Sequence, residues 1–469
     1  MKIIIVNPFK IYDGEVPIGS LYISSALKKA GFEVYNFFPD LSKIVNFKSL
    51  KYHFLIKEFH KILEIKKPEI IAFSALSTNF EICLKLAQYA KKMSDTNIIF
   101  GGVHSIIDYD NIIKNNYVDA VCVGEGEVSL PEYLKRLSLK KLSENNDLNI
   151  TYKINGNVIN AFDNYSFPEL DTYHFPDRDC LKSYYEKNIL TSANFITGRG
   201  CPYQCHYCNA VTLNKNKKYL RFRSIENIIE EILEVKKKYN IEKVIFSDET
   251  FTLNKKRLFL FLEEYRKKIN FPFVCQTRVE TIDNEIAKEL KKSDCVQVTL
   301  GIESGNPDIR KNFLNRKMSD EQIIEAFQIL KKNGLYTSSF NMIGLPEETE
   351  NKIWEAIYLN RKSGVSKTHC TIFMPFKGTK IYEWYAENNL IVKEPSINYY
   401  NDIIIKHPSL SNNLLKYYSM NFDYLVNSNI DNKSMKLKIN KLKFFIGNYL
   451  SFIKIIKGKI KKIIKILKK

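Results

Sequence analysis

The sequence lacks any uncharged apolar run of about 18 residues, the least that crosses a bilayer as a helix, so no membrane span is expected. Its first residues, Met1 to Pro8, hold too short an apolar stretch for a signal peptide and read as a buried strand. A cytoplasmic protein is therefore expected. There is no disulfide framework either: the nine cysteines are odd in number, and only Cys201, Cys205 and Cys208 cluster. The other six sit in apolar, strand-like surroundings and read as small buried hydrophobes. Acid is missing from the C-terminal end, where residues 432–469 carry 13 lysines and no Asp or Glu. Those lysines make up most of the net charge of +19, so overall basicity does not argue for nucleic acid as a partner. No repeat of solenoid length is present.

What is there is a chain of 469 residues, 45% hydrophobic, with room for two or three domains. Residues 1–135 alternate short apolar strands (Lys2–Val6, Glu33–Phe37, Ile70–Ser74, Ile98–Gly101, Ala120–Val123) with helical spacing over Gly19–Ala30 and Phe80–Lys92. This alternation predicts a doubly wound parallel sheet, which binds ligands at the carboxyl ends of its strands. Those ends carry Ser74-Ala75-Leu76-Ser77-Thr78, Gly101-Gly102-Val103-His104 and Gly124-Glu125-Gly126-Glu127. Small and hydroxyl residues there admit a bulky, phosphate-bearing ligand; equally, the glycines serve tight strand-to-helix turns.

Residues 136–190 are polar and punctuated by proline, as in an interdomain linker. From 191 to about 400 a second series follows, with strands at Asn194–Thr197, Lys243–Ser247, Phe273–Thr277, Val296–Gly301, Ser338–Ile343 and His369–Phe373. Six strands with intervening helices predict a partial (β/α)6, TIM-like barrel whose site faces the carboxyl ends. Behind its first strand stands Gly198-Arg199-Gly200-Cys201-Pro202-Tyr203-Gln204-Cys205-His206-Tyr207-Cys208. Thiolates spaced C-x3-C-x2-C hold three irons of a cubane and leave the fourth without a protein ligand. A zinc site is the alternative, with His206 as fourth ligand.

The cluster motif, with its aromatic residue before the last cysteine, resembles the radical S-adenosylmethionine (SAM) superfamily over roughly residues 190–400. The resemblance implies a 4Fe–4S cluster on Cys201, Cys205 and Cys208 whose open iron chelates the methionine end of SAM. It implies that SAM is then split to a 5′-deoxyadenosyl radical. It places Tyr207 near the adenine, Asp248 and Glu249 near the amino group, and Arg278 at the carboxylate. Glu303, with Ser304 beside it, falls at the ribose. Gly344-Leu345-Pro346-Glu347-Glu348-Thr349 resembles the family's G-L-P-G-E-T turn with its second glycine replaced by Glu347. Met374-Pro375-Phe376-Lys377-Gly378-Thr379 resembles an altered P-x-P-G-T turn. Plain alternatives stand beside these roles: loop packing for Tyr207, a helix cap for Asp248, a surface ion pair for Arg278.

Pro17-Ile18-Gly19-Ser20-Leu21-Tyr22 and the later strand-end motifs resemble the cobalamin-binding domain that precedes many radical SAM barrels. Ser74, Thr78, Gly101, Gly102, Gly124 and Glu125 are the positions this assigns to cobalamin. A D-x-H-x-x-G signature for a cobalt-ligating histidine is absent, which leaves the lower ligand open, as well as a domain that keeps the fold without the cofactor. The combination implies cobalamin-dependent C-methylation, with an electron donor such as flavodoxin or ferredoxin. Alternatives are a methylthiotransferase, a rearrangement or cyclisation enzyme without cobalamin, and a non-catalytic cluster sensor. Methylthiotransferases carry three more clustered cysteines in front, where this chain has only Cys83 and Cys122. Within 401–469, the lysines and isoleucines of 432–469 fit a basic amphipathic helix lying on an anionic membrane, consistent with a lipid-like substrate. Packing of that stripe on the barrel, or contact with another acidic partner, fits the same pattern.

Overall fold

The computed structural model describes residues 1–8, 11–39, 48–162, 167–213, 219–395, 402–435, 437–444 and 446–447. The N-terminal sheet is built from β1 (Lys2–Val6), β2 (Glu33–Phe37), β3 (Ile70–Ser74), β4 (Asn97–Gly101), β5 (Ala120–Cys122), β6 (Ile150–Ile154) and β7 (Asn157–Ile159). Their order is β2-β1-β3-β4-β5-β6-β7, with the first five parallel. Ile3, Ile4, Ile5 and Val6 are all buried, because helices cover both faces of a parallel sheet. The order reverses between β1 and β3, which opens a crevice at the carboxyl ends.

The sheet continues past residue 135 into the stretch that reads as linker. Strand β6 pairs antiparallel with β5, and β7 pairs antiparallel with β6. They are joined by Asn155-Gly156, both at positive φ (49° and 82°). Asn-Gly is the two-residue hairpin turn favoured by strand twist.

The second unit has six parallel strands in the order β15-β14-β13-β12-β11-β8. They are β8 (Ser192–Phe195), β11 (Lys243–Phe246), β12 (Phe273–Thr277), β13 (Cys295–Glu303), β14 (Tyr336–Ile343) and β15 (Lys367–Ile372). A ribbon of β9 (Gly198–Arg199) with β10 (Arg221–Phe222) interrupts the series after β8. Five crossover helices, 225–238, 255–268, 284–292, 320–332 and 350–363, begin at Ser224, Asn254, Asp283, Ser319 and Thr349, whose side chains accept a backbone N–H of the first turn. Each cap is worth about 1 kcal/mol.

Strands β8 and β15 are the edges, so the barrel is open. The free edge of β8 is met from outside. Asp13, in the loop after β1, accepts hydrogen bonds from Thr191 N (2.9 Å), Thr191 Oγ1 (3.0 Å), Ser192 N (2.8 Å) and Ser192 Oγ (2.7 Å). Asn194 Nδ2 donates to Gly14 O at 3.0 Å, and Arg178 Nη2 donates to Asn194 O at 2.7 Å. The loop after β1 thus anchors the barrel.

Asp13→Ala is expected to lower stability by about 1–2 kcal/mol, given its partial exposure. The check is the urea midpoint, which should fall without a change of slope; an unchanged midpoint would show that the anchor carries no stability.

Candidate active site

The segment from Thr191 to Gly200 carries Cys201 into place, and its polar handles are taken up one after another. Arg223 Nη1 donates to Ile196 O at 3.1 Å. Thr197 donates its N–H (3.0 Å) and hydroxyl (2.7 Å) to Asp248. Arg199 pairs with Glu125 and Glu127 of the N-terminal domain. Gly200 has φ +97°, and a Cβ there would come within 3.0 Å of the Leu220 backbone, so the turn into Cys201 requires glycine.

Cys201 and Cys205 are buried and Cys208 is half-buried. Arg278 Nη1 reaches Cys205 Sγ at 3.1 Å, and Thr250 Oγ1 lies 3.7 Å from Cys201 Sγ. Burial pushes the Cys201 thiol up and the Cys208 thiol up to about 11, and each is also raised by the negative charge its neighbours would carry. Three cysteines on one short loop, beside a cation that favours their thiolates, suit an iron–sulfur core. Among the described residues no three His, Cys, Asp or Glu side chains, the three cysteines included, are gathered closely enough to hold a metal ion. His206 bonds the Phe313 backbone with one ring nitrogen, which leaves the other nitrogen open to the zinc alternative. The donor set fits the cubane.

The other predicted positions divide. Arg278 is buried, its Nη2 pairs with Glu280 at 2.5 Å as the ion-pair alternative expects, its guanidinium lies 3.7 Å from the Tyr203 ring centre, and its Nε is left without a hydrogen-bond partner. An orphaned donor next to the thiols suits a carboxylate ligand. Glu249 is solvent-accessible, accepts the Gly200 N–H, and its charge reaches Cys208. Asp248, by contrast, spends its carboxylate on Thr197; burial pushes its pKa up to about 6. It neither caps the next helix nor stays open for a ligand.

Glu303 closes β13 at φ +68°, in the left-handed region, where the register with β14 slips by one residue. Arg316, which no motif marks, donates to Glu303 Oε1 (3.2 Å), Tyr207 Oη (3.1 Å) and Gly301 O (2.8 Å). It thereby joins the cluster loop to the end of the fourth barrel strand. The Ser304 hydroxyl accepts Asn306 N at 3.3 Å and shapes the turn. Glu347 adopts φ +55°, so the left-handed conformation that a glycine would supply is kept by a glutamate, at a cost of about 1 kcal/mol.

In the N-terminal domain, Gly102 has φ +94°, and a Cβ there would stand 2.7 Å from Ala75 O. Ser74 and Gly101 pair across β3 and β4, and Thr78 lies in the same half-buried loop. Around these strand ends several buried polar atoms have no hydrogen-bond partner: both amide atoms of Asn7, Ser105 Oγ, Ser129 Oγ, and His104 Nε2, which stands 3.9 Å from Asp108 Oδ2. Burial lowers the pKa of His104 to about 4, and Ser77 Oγ holds its Nδ1 at 3.0 Å. Unmet donors and acceptors beside a glycine cradle fit a large polar ligand such as cobalamin. Gly124 backs onto Asn149, 2.8 Å from where its Cβ would be, while Glu125 turns away from the cradle toward Arg199, Arg221 and Tyr173. Cys83 and Cys122 belong to cores on opposite faces of the sheet, and burial raises both thiols, Cys122 to about 12.

The model of the Radical SAM superfamily matches residues 195–359, and that of the B12 binding domain matches residues 9–134. An uncharacterized methyltransferase of Pyrococcus horikoshii is 30% identical over 336 residues, covering 71% of this chain and 72% of that protein. Among solved structures, the cobalamin-dependent SAM radical enzyme OxsB with aqua-cobalamin bound superposes with a TM-score of 0.69 at 16% identity, over 96% of this chain and 73% of that one. The radical SAM methyltransferase TsrM from Kitasatospora setae, with cobalamin and a [4Fe-4S] cluster bound, gives 0.66 at 16% identity, over 82% and 78%.

Glu348, in the turn after β14, accepts Gly344 N (2.6 Å) and Leu345 N (3.3 Å), and burial pushes its pKa up to about 8. The folded state therefore holds a proton that the unfolded chain, with a pKa of about 4.3, releases. Stability is expected to fall as pH rises from about 5 to about 8. Thermal melts of Glu348→Gln should lose the part of that slope above about pH 6, beyond the range of the Asp248 carboxyl; an identical slope there in the variant would assign it to another group.

Proposed function

The chain belongs to the radical SAM superfamily, in the group with a B12-binding domain ahead of the barrel, and from that premise we propose that it is a cobalamin-dependent methyltransferase acting on an unactivated carbon. When bound, the cluster supplies the electron that splits SAM to a 5′-deoxyadenosyl radical, and cobalamin supplies the methyl group. Cys201, Cys205 and Cys208 hold the iron. Arg278 offers its unpaired Nε to the SAM carboxylate, Glu249 accepts from the ammonium, and Glu303, steadied by Arg316, accepts from the ribose hydroxyls. One observation carries the reading. The strand ends with His104 and the unsatisfied polar atoms of Asn7, Ser105 and Ser129 lie on the side of the N-terminal domain that meets the barrel, through Glu125 and Glu127 to Arg199 and through Asp108 to Lys377 (3.4 Å). A cofactor held there faces the cluster loop.

A methylthiotransferase would need further clustered thiols, and Cys83 and Cys122 point into different cores. A sensor without catalysis has no use for the unpaired Arg278 donor. Reduction of the cluster calls for a one-electron donor of the flavodoxin or ferredoxin type. Anaerobically reconstituted protein, given SAM and reductant, is expected to release 5′-deoxyadenosine and to retain cobalamin, and Cys205→Ala to release none. 5′-Deoxyadenosine from a protein that retains no cobalamin would contradict methyl transfer while leaving the radical chemistry standing.

A membrane-facing, lipid-like substrate is favoured by a separate observation. No helix among the described residues is long and apolar enough to cross a membrane. The described helical residues at 435, 437–444 and 446–447, however, expose Met435, Ile439, Leu442 and Ile446, spaced i, i+4, i+7 and i+11 in the sequence, by 45–67%. Leu437 and Phe444 instead pack against the barrel's outer layer. Exposed Lys438 and Lys443 flank the stripe, as on a helix that lies on anionic lipid. The rest of the basic tail, 448–469, lies outside the described residues. In flotation with phosphatidylserine vesicles the full chain is expected to float and the double variant Ile439→Asp, Leu442→Asp to remain below. Equal flotation would remove the membrane contact from these residues.

A further inference from the structure

Arg199 is a charged side chain only 13% exposed, set between two domains. Its Nη1 lies 2.9 Å from Glu125 Oε1 and its Nη2 lies 2.7 Å from Glu127 Oε1. Arg221 Nη2 meets the same Glu125 oxygen at 2.5 Å, and Tyr173 donates its hydroxyl to Glu125 Oε2 at 2.7 Å. The rings of Tyr22 and Tyr173 lie 5.0 and 5.2 Å from the Arg199 guanidinium. Two acids of the N-terminal domain thus balance two arginines of the barrel, away from water. Breaking one partner of such a set strands a buried charge.

The placement along the chain gives this network a consequence beyond adhesion. Arg199 is separated from Cys201 only by Gly200, whose N–H is held by Glu249. Glu125 and Glu127 stand three and five residues after β5, at the start of the helix 126–138, and their backbone has no slack: a Cβ on Gly126 would come within 3.0 Å of Ile23 and 3.3 Å of Cys122 Sγ, and Asn149 Nδ2 grips Glu125 O at 2.7 Å. A shift of the strand ends beside Gly124 is passed to the cluster loop through ion pairs that cannot stretch without exposing charge.

We infer that Glu125 and Glu127 are positioning residues for the cluster-bearing loop, acting through Arg199, and that occupancy of the N-terminal strand ends and SAM binding at the cluster are coupled through them. Coupling of this kind is reciprocal, so each ligand tightens the other by the same factor. The inference rests on the placement of cluster and cobalamin proposed above, and not on methyl transfer.

The test is a SAM titration of the reduced, anaerobically reconstituted holoenzyme, followed by the electron paramagnetic resonance signal of the cluster, with and without bound cobalamin. Wild type is expected to bind SAM about tenfold more tightly with cobalamin present. Glu127→Gln and Arg199→Lys should keep iron and cobalamin but lose that difference, and the double variant should be no worse than either single one. Tyr173→Phe, which removes one hydrogen bond and no charge, should weaken the coupling in a protein that folds even where the charge variants do not. SAM affinity that ignores cobalamin in wild type, or coupling that survives in all the variants that fold, overturns the inference. Failure of the underlying placement would show separately, as wild type that takes up no cobalamin by visible absorption.

Discussion

Strand β8 lies at the edge of an open barrel, so one side of its backbone has no neighbouring strand, and an exposed edge left in that state invites mispairing. Asp13 and Arg178 satisfy that side from outside the barrel, while Arg223 and Asp248 hold the residues that follow. Every one of these bonds fixes the approach to Cys201. The cluster loop is therefore positioned less by its own sequence than by what closes β8. Because Asp13 belongs to the N-terminal domain, the domain that carries the B12-type strand ends also closes the barrel.

The same economy governs charge inside the site. Buried thiols resist ionisation, and Arg278 beside Cys205 is the local cation that offsets the cost. Glu303 is buried too, and burial raises its pKa while Arg316 pulls it back. Two arginines from different loops thus stand behind the two acidic or thiol groups that would meet iron and SAM. The positive φ values of Glu303 and Glu347 show backbone strain in these strand-end turns, where tight geometry is held against local preference.

Much of this was legible in the sequence, where the relevant residues are contiguous. The cluster motif lies within eight residues, and most barrel strands and helices fall within two residues of their predicted bounds, because apolar periodicity and caps are local signals. The β6–β7 hairpin was announced by Asn155-Gly156 but hidden within a polar stretch, and the helix over 48–66 has a weak amphipathic pattern. Other features had no local signal. Arg316 is 109 residues from Tyr207, and Arg199 is 72 residues from Glu127. Asp248 reads as a ligand-facing acid at a strand end, and only the fold reveals that Thr197 consumes it. Glu125 reads as part of a ligand cradle, yet it faces the other domain.

The central claim is that two cofactor sites, one in each domain, face each other across this buried network. Crystals of the anaerobically reconstituted protein, measured at the iron and cobalt absorption edges, test it most directly. The account predicts iron anomalous density among Cys201, Cys205 and Cys208 and cobalt density on the barrel side of the strand ends at Gly102 and His104. Iron without cobalt, or cobalt bound away from those strand ends, would contradict it.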